Sequence, residues 1–309
     1  MLWILLLMLA LAAVLPFTDE WRRKPMGAKP RSQAPGAFAD LPQGLTHYSW
    51  SGPLRGPVAV CIHGLTTPSQ VWGGIAEGLA GQGFRVLTYD LYGRGFSDRP
   101  AGQQDADFFC RQLEALLADQ GIGQDFTLAG YSMGGAIATA FAARHPDQVR
   151  QLILIAAAGV ETEPGRFASL VRHMPLLGDW LMHAIFPRAH RRGCEAERAL
   201  PCSVPGLIEV QKGELGYKGF VPGVLSAMRG ILARPLEAEH RALDRAGVPV
   251  LAIWGQEDGL IPVTAAGTLA QWSRLARQEV VQGAGHGLPY THTEAVLQAI
   301  SQSHKGGLF

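Results

Sequence analysis

Charge is scarce in this sequence, and no part of it concentrates charge of one sign. Charged residues make up 17% of the 309 positions, the formal net charge is +1, and no long block of like charges occurs. A basic arm that binds nucleic acid would need such a block, so we expect no nucleic-acid partner.

Cysteine is also scarce, and the four cysteines contain no CxxC spacing. Cys61 lies in the apolar run VAVCI, which predicts a buried thiol, and free thiols are the expectation for all four. A disulfide between Cys194 and Cys202 in an oxidising compartment stays open, as does a metal site that adds His190 to them.

Residues 1–17, MLWILLLMLALAAVLPF, have no charged side chain. As a helix they would span about 25 Å, the short limit for a bilayer core. The basic residues between Arg22 and Arg31 follow directly, so the positive-inside rule predicts a single-pass N-terminal membrane anchor with the rest of the chain facing the cytoplasm. A signal peptide is the alternative, because ALA at 10–12 resembles a cleavage site; the protein would then be secreted or periplasmic.

After this segment the sequence predicts a linker at 18–44, rich in Pro, Gly and Ala, and a folded domain at 45–309. Short apolar runs alternate with helix-like stretches, which indicates an α/β fold with a parallel sheet covered by helices. The alternation stops at about 161–235, where we expect an inserted helical cap. The strand-like runs are VAVCI (58–62), FRVLTYD (84–90), DFTLAG (125–130), VRQLILIAAA (149–158), VPVLAIWG (248–255) and QEVVQG (278–283).

The stretch LAGYSMGGAIATAFAARHP, residues 128–146, places Ser132 among glycines between a strand-like run and a helix-like one. The pattern G-x-S-x-G in this context is typical of a nucleophile elbow, in which a sharp turn exposes a serine hydroxyl at the start of a helix. The alternative is a serine that only caps the helix.

A nucleophilic serine needs an imidazole base and a carboxylate that orients the base. His286 is the candidate base because it lies in a Gly-rich loop after the last strand-like run; His292 is its competitor. Asp258 is the candidate carboxylate because it follows the run VPVLAIWG, with Glu257 and Glu161 as alternatives.

Donors for a developing oxyanion can come from two turns. In CIHGLTT, the backbone N–H of Leu65 follows the first long strand, and the N–H of Met133 follows the candidate nucleophile. An ordinary strand-ending turn would have the same sequence, and His63 in this turn is expected to be structural.

The order Ser132, Asp258, His286, with HGL upstream and YDLYGRGFSDRP after the next strand, resembles the α/β-hydrolase fold superfamily over about residues 45 to 303. The resemblance implies an eight-stranded, mostly parallel sheet with a cap after the sixth strand, and hydrolysis without cofactor or metal. It also implies that Ser132 is the nucleophile, His286 the base and acid, Asp258 its orienter, and Leu65 and Met133 the oxyanion donors. Epoxide hydrolases and haloalkane dehalogenases of this superfamily carry aspartate at the elbow, so the serine argues against both.

The anchor together with SMGG at the elbow resembles membrane-anchored monoacylglycerol lipases, and a carboxylester hydrolase acting on lipid-like esters is the prediction. The alternatives are a carbon-carbon bond hydrolase of ring-fission diketones, whose elbows also read SMGG, and a non-catalytic binding protein. Apolar residues from Phe167 to Ile185 recur at helical spacing. We expect this stripe to cover an acyl channel, with Leu177 and Trp180 in contact with substrate; packing of the cap on its own domain, or contact with the membrane, stays open.

Overall fold

A computed structural model describes residues 1–161 and 165–305. Within them eight strands form one sheet, and the predicted eight-stranded, mostly parallel sheet is confirmed. The strands are β1 (Ala37–Leu41), β2 (Gly44–Ser51), β3 (Val58–Ile62), β4 (Arg85–Tyr89), β5 (Phe126–Tyr131), β6 (Val149–Ile155), β7 (Val250–Gly255) and β8 (Arg277–Val281).

The strand order is β1-β2-β4-β3-β5-β6-β7-β8. The six strands from β3 to β8 are parallel, while β1 and β2 are antiparallel to their neighbours. The six strand-like runs in the sequence correspond to the parallel strands. In a parallel sheet the carboxyl ends of the strands share one edge, so the loops that follow β3, β5, β7 and β8 converge there.

The described helices cover both faces of the sheet and extend beyond it. They are α1 (Leu2–Arg22), α2 (Ala28–Arg31), α3 (Gly73–Gly81), α4 (Ala106–Asp119), α5 (Met133–Arg144), α6 (Arg166–His173), α7 (Leu177–Glu197), α8 (Leu207–Gly213), α9 (Phe220–Arg229), α10 (Glu237–Ala246), α11 (Ala265–Trp272), α12 (Leu288–Thr291) and α13 (Thr293–Lys305).

Two apolar layers sandwich the sheet. Helices α4, α5, α10 and α11 pack on one face, and α3, α12 and α13 pack on the other. All six residues of β5 are buried, as expected for a central parallel strand that is covered on both sides. The strand that leads to Ser132 is therefore fully enclosed.

Helices α6 to α9 lie between β6 and β7, in the segment expected to form a cap. They enclose a separate apolar cluster. Helix α10 packs on α5 instead, and so belongs with the body. Residues 162–164 of the expected cap and residues 306–309 of the expected domain lie outside the described residues, and the boundaries at 161 and 235 stay a prediction.

The N-terminal 44 residues, expected to form an anchor or signal segment and a linker, contain regular structure beyond residue 17. Helix α1 continues to Arg22, α2 follows, and β1 is already part of the sheet. By length and composition α1 could cross a membrane, a test that a signal sequence would also pass. The backbone of Lys24 bonds to the α8–α9 region, with its N–H on the Gly216 carbonyl and its own carbonyl on the Lys218 N–H. The segment after α1 is therefore fastened along the domain.

Candidate active site

Ser132 lies in a sharp turn between β5 and α5. Its φ of +53° and ψ of −119° are unusual for a residue with a side chain. The glycines around it are required by close backbone contacts: a Cβ on Gly134 would collide with the Ile62 carbonyl oxygen, and a Cβ on Gly130 with the Gly134 carbonyl oxygen. The turn can form only with these small residues, and it directs the Ser132 hydroxyl away from the sheet.

His286 lies between Ser132 and Asp258. Its Nε2 is 3.0 Å from Ser132 Oγ, and its Nδ1 is 2.8 Å from Asp258 Oδ2. The buried carboxylate can only accept at Oδ2, so Nδ1 carries the hydrogen and Nε2 is free to accept from the serine hydroxyl. The structure thus brings together the three side chains that the sequence singled out.

Asp258 is held by its own loop. Its Oδ1 accepts hydrogen bonds from the backbone N–H groups of Leu260 at 2.8 Å and Ile261 at 2.9 Å. Since the other oxygen faces His286, both carboxylate oxygens are satisfied although the side chain is fully buried. This arrangement fixes the direction in which the carboxylate presents Oδ2 to the imidazole.

The alternative residues lie elsewhere. His292 Nδ1 is 2.9 Å from the hydroxyl of the adjacent Thr291, and Glu257 is exposed. Glu161 accepts hydrogen bonds from Thr264 and Thr268. None of these contacts involves Ser132 or His286.

The loop after β3 is held by the buried imidazole of His63. Its Nε2 accepts from the backbone N–H of Leu91 at 2.9 Å, so Nδ1 carries the hydrogen and donates to the Gly64 carbonyl at 2.8 Å. Burial lowers the pKa of His63 to about 4, which keeps the ring neutral in this role. The adjacent Leu65 is one expected oxyanion donor, and Met133, the first residue of α5, has a backbone N–H without an intrahelical acceptor.

Arg94 connects this loop to α9. In the sequence it was visible only as a charged residue in a Gly-rich turn. The side chain is fully buried. Nε donates to the Leu65 carbonyl at 3.0 Å, and Nη1 donates to the Tyr92 carbonyl at 3.1 Å and to Gln104 Oε1. Nη2 donates to the carbonyl of Gly223 in α9 at 3.2 Å. The position of Leu65 is therefore coupled to that of α9.

A buried carboxylate, Glu214, faces the same turn from the α8–α9 region. Its Oε2 accepts from the Gly95 N–H at 2.8 Å and lies 3.9 Å from Arg99 Nη2. Burial raises the pKa of Glu214 to about 7, although Arg99 and the Gly95 hydrogen bond favour the ionised form. Its charge state therefore changes near neutral pH.

The start of the same turn contains a buried ion pair. His47 Nδ1 donates to Asp90 Oδ2 at 2.7 Å, and its Nε2 donates to the Pro35 carbonyl, so both ring nitrogens carry hydrogen. Burial would raise the pKa of Asp90, but the His47 hydrogen bond and charge outweigh it and hold the pKa at about 2. These contacts tie the start of the 90–98 turn to His47 and, through it, to Pro35.

Tyr131, the residue before Ser132, is a second residue that supports the candidate active site and that the sequence did not predict. Its side chain is buried, and its hydroxyl donates to the backbone carbonyl of His286 at 3.1 Å. The two rings lie with centroids 5.3 Å apart. Tyr131 thus supports the loop that presents the imidazole, and the variable position of the G-x-S motif was the only sequence signal for it.

The contacts described for Leu177 and Trp180, the two residues expected to contact substrate, do not involve Ser132. The Trp180 indole N–H donates to the Ala12 carbonyl of α1 at 2.9 Å, and Leu177 is 44% exposed. The apolar cluster that does reach the site packs against Leu65. Its buried members are Val171, Met182, Leu215, Phe220, Val221, Val224 and Leu225, with Leu65, Phe167, Leu181, Phe186 and Met228 packed on it.

Metal ligands are not grouped in the described part of the chain: no three His, Cys, Asp or Glu side chains there are arranged to hold an ion. Cys194 is buried beside Gln211, with Sγ 3.5 Å from Oε1, whereas Cys202 is exposed. The side chains around Ser132 instead suit a proton transfer from a hydroxyl to an imidazole.

Comparison with known proteins identifies relatives that are named as hydrolases and esterases. The model of the alpha/beta hydrolase fold matches residues 57–293. The chain is 31% identical over 264 residues to 2-hydroxymuconate semialdehyde hydrolase of Pseudomonas putida, which covers 78% of this chain and 85% of that protein. It is 30% identical over 252 residues to pimeloyl-[acyl-carrier protein] methyl ester esterase of Chromobacterium violaceum, with 80% and 94% covered. The crystal structure of a bacterial membrane phospholipase A has a similar fold, with a TM-score of 0.69 at 23% identity over 99% of this chain and 97% of that one.

Proposed function

Since this chain belongs to the α/β-hydrolase family, its site serves hydrolysis, and we propose that it is a serine hydrolase with Ser132 as nucleophile. The observation that carries the proposal is the position of His286, within hydrogen-bond distance of both Ser132 Oγ and Asp258 Oδ2. A serine hydroxyl at its ordinary acidity is a poor nucleophile, and an imidazole oriented by a carboxylate removes this limit.

The reaction follows from that geometry. Ser132 Oγ attacks the carbonyl carbon of an ester while its proton passes to His286 Nε2, and Asp258 stabilises the imidazolium through Nδ1–H. The oxyanion that forms accepts hydrogen bonds from the backbone N–H groups of Leu65 and Met133. His286 then gives the proton to the leaving alkoxide, and water removes the acyl group from Ser132 by the same steps in reverse.

We propose lipid-like carboxylic esters, such as monoacylglycerols, as the substrates. The partly buried residues packed on the apolar cluster, among them Leu65, Phe167 and Leu181, offer apolar surface for an acyl chain. Each methylene buried there adds about 0.8 kcal/mol to binding. An α1 anchored in a membrane would keep this surface next to a high local concentration of amphiphilic esters, with the catalytic domain in the cytoplasm.

A carbon-carbon bond hydrolase is the second candidate, because relatives at 31% identity are hydrolases of 2-hydroxymuconate semialdehyde. A Ser-His-Asp group is compatible with either reaction, so the choice rests on substrate shape. The apolar α1, exposed at residues 2–8 and 10–15, favours the lipid ester.

Activity-based labelling tests the nucleophile. A fluorophosphonate should label the wild-type protein and should not label Ser132→Ala. His286→Ala should lose about as much ester hydrolysis as Ser132→Ala, and Asp258→Asn somewhat less, because the three side chains act as a unit. Labelling that persists in Ser132→Ala would contradict the assignment.

A substrate panel tests the ester class. We expect kcat/KM on p-nitrophenyl and glycerol esters to rise from acetate to medium chains and then to level off as the apolar surface is filled. Leu181→Ala, in the cluster beside Leu65, should flatten this rise and leave acetate hydrolysis in place. A preference for acetate combined with cleavage of a vinylogous 1,5-diketone would favour the carbon-carbon hydrolase instead.

A further inference from the structure

The first turn of α7 lies against the middle of α1, within the stretch that would cross a membrane. The Trp180 indole N–H donates to the Ala12 carbonyl at 2.9 Å, and the rings of Phe17 and His183 lie with centroids 4.8 Å apart. In both helices the second contact lies nearer the C-terminus than the first, so α1 and the start of α7 run in the same direction. The residues just before Trp180 therefore lie beside the part of α1 that precedes Ala12.

Helix length decides what surrounds this contact. Residues 1–17 as a helix span about 25 Å, already short for a hydrocarbon core of about 30 Å. If Ala12 and Trp180 both stayed in water, only residues 1–11 of the chain would remain to cross the bilayer. As a helix these residues span about 16 Å, close to half the thickness of the hydrocarbon core. An α1 that crosses the bilayer must therefore take the start of α7 into the membrane interface with it.

The residues at the start of α7 have the exposed apolar side chains that a position in the membrane interface requires. The turn between α6 and α7, Met174-Pro175-Leu176-Leu177, which we call the apolar tip, is exposed throughout. Exposure reaches 42% for Met174, 85% for Leu176 and 44% for Leu177. Contiguous exposed apolar residues of this kind mark a contact surface rather than a solvated turn.

The backbone of the apolar tip is built to hold Leu176 outward. Leu176 has φ +63° and ψ −62°, and the Leu177 N–H donates to the Pro175 carbonyl across it at 2.7 Å, a strained γ-turn. Asp179 accepts from the Leu176 N–H at 2.9 Å and pairs with Arg229 at 3.0 Å. Strain of this kind persists only where the surrounding contacts enforce it, and it is often functional.

We propose that the apolar tip inserts into the lipid bilayer that holds α1, so that the cap segment faces the membrane. The proposal rests on the proposed membrane insertion of α1 and does not depend on the catalytic assignment. Val171 and Met182, on either side of the tip in sequence, are buried in the cluster that also contacts Leu65. The segment that carries the tip is therefore packed, through Val171 and Met182, on the same apolar cluster as Leu65.

Lipid-borne quenchers test the insertion in the full-length chain. In a Cys202→Ser background, Leu176→Cys or Leu54→Cys is labelled with an environment-sensitive dye and reconstituted into phosphatidylcholine–phosphatidylglycerol vesicles with nitroxide-labelled acyl chains. Leu54 is 95% exposed before β3, at the end of the sheet opposite Ser132, and so serves as the matched control. We expect the dye at 176 to be quenched several-fold more strongly than the dye at 54.

Equal quenching at both positions in protein that sediments with the vesicles would overturn the insertion while leaving the anchor in place. Protein that fails to sediment would overturn the anchor and the insertion together, whereas hydrolysis of soluble p-nitrophenyl acetate reports separately on the catalytic proposal. As a second measurement, Leu176→Asp should lower hydrolysis of vesicle-borne monoacylglycerol several-fold and leave acetate hydrolysis unchanged. Asp tolerates a positive φ well, so this variant should fold, and Leu54→Asp should change neither rate; equal effects of the two variants would refute the proposal.

Discussion

Replacing Ser132 by glycine or by alanine separates the strain of the turn from the chemistry of its hydroxyl. Both variants lose the hydrogen bond to His286 Nε2 and both should be inactive. Only Ser132→Gly also relieves the backbone, because alanine keeps the Cβ that makes φ +53° unfavourable. The difference in stability between the two inactive variants therefore measures the strain alone.

The magnitude follows from the backbone. A side-chain-bearing residue in such a conformation costs about 1–3 kcal/mol, and glycine loses about 0.4–1 kcal/mol through the added freedom of the unfolded chain. Ser132→Gly should therefore be more stable than Ser132→Ala by about 1 kcal/mol. At an ordinary helical serine, Ser169 in α6, the sign should reverse, because glycine in a helix is about 1 kcal/mol less stable than alanine.

Thermal unfolding of the four variants in mild detergent, followed by circular dichroism, is the assay. A change of 1 kcal/mol shifts Tm by about 2 °C or more in a chain of this size. The Gly-minus-Ala differences at positions 132 and 169 should thus differ by about 4 °C and have opposite signs. If glycine destabilises both positions equally, the turn at Ser132 stores no strain and the argument fails.

Two further predictions concern the turn after β4. Arg94→Lys should lower kcat on a short ester about tenfold with little change in KM, because the Leu65 carbonyl loses the guanidinium that holds it. Arg99→Lys, in the same turn but without this contact, should keep kcat. Equal losses of kcat in the two variants would contradict the role of Arg94. Burial raises the pKa of Glu214 from the ordinary carboxyl value to about 7. The free energy of unfolding therefore falls as the pH rises from the ordinary carboxyl value to about 7, and the loss is complete above about 7. Glu214→Gln should therefore be more stable than wild type at pH 8, by up to about 3 kcal/mol, and should lose this advantage near pH 4.5; a pH-independent difference in Tm would refute it.

The sequence predicted the parallel strands because strands buried on both faces read as continuous apolar runs. It did not indicate β1 and β2. Their burial alternates weakly, since both lie at the antiparallel edge and β1 follows a Pro- and Gly-rich segment. An edge strand contributes few buried side chains, so its pairing depends on backbone hydrogen bonds that composition does not record.

Some residues around Ser132 could likewise be predicted from the sequence and others could not. Ser132, Asp258 and His286 each follow the end of a parallel strand, and the resemblance in motif order supplied the rest. Arg94 could not be found in this way, because its contact with Gly223 joins positions 129 apart in sequence. The apolar stripe from Phe167 to Ile185 was expected to cover an acyl channel; in the structure α6 ends at His173, and the γ-turn at Leu176 separates it from α7. Val171 therefore turns inward while the residues of the apolar tip turn outward.

The segment after α1 shows how such a difference changes a functional argument. A flexible linker of about twenty residues would let the domain move over about 25 Å, and proximity to the bilayer would then be only an average. In the structure Glu20 accepts from the Gly219 N–H at 2.6 Å, and the backbone of Lys24 bonds to Gly216 and Lys218. Most of these bonds use main-chain N–H and C=O groups, which every residue except proline provides in full, so the composition of the segment does not show whether it is free or fastened. If α1 spans a membrane, as we propose, these bonds would also set the depth of the apolar tip, and the approach of the proposed lipid ester to Ser132 would depend on this fixed geometry as well as on local concentration.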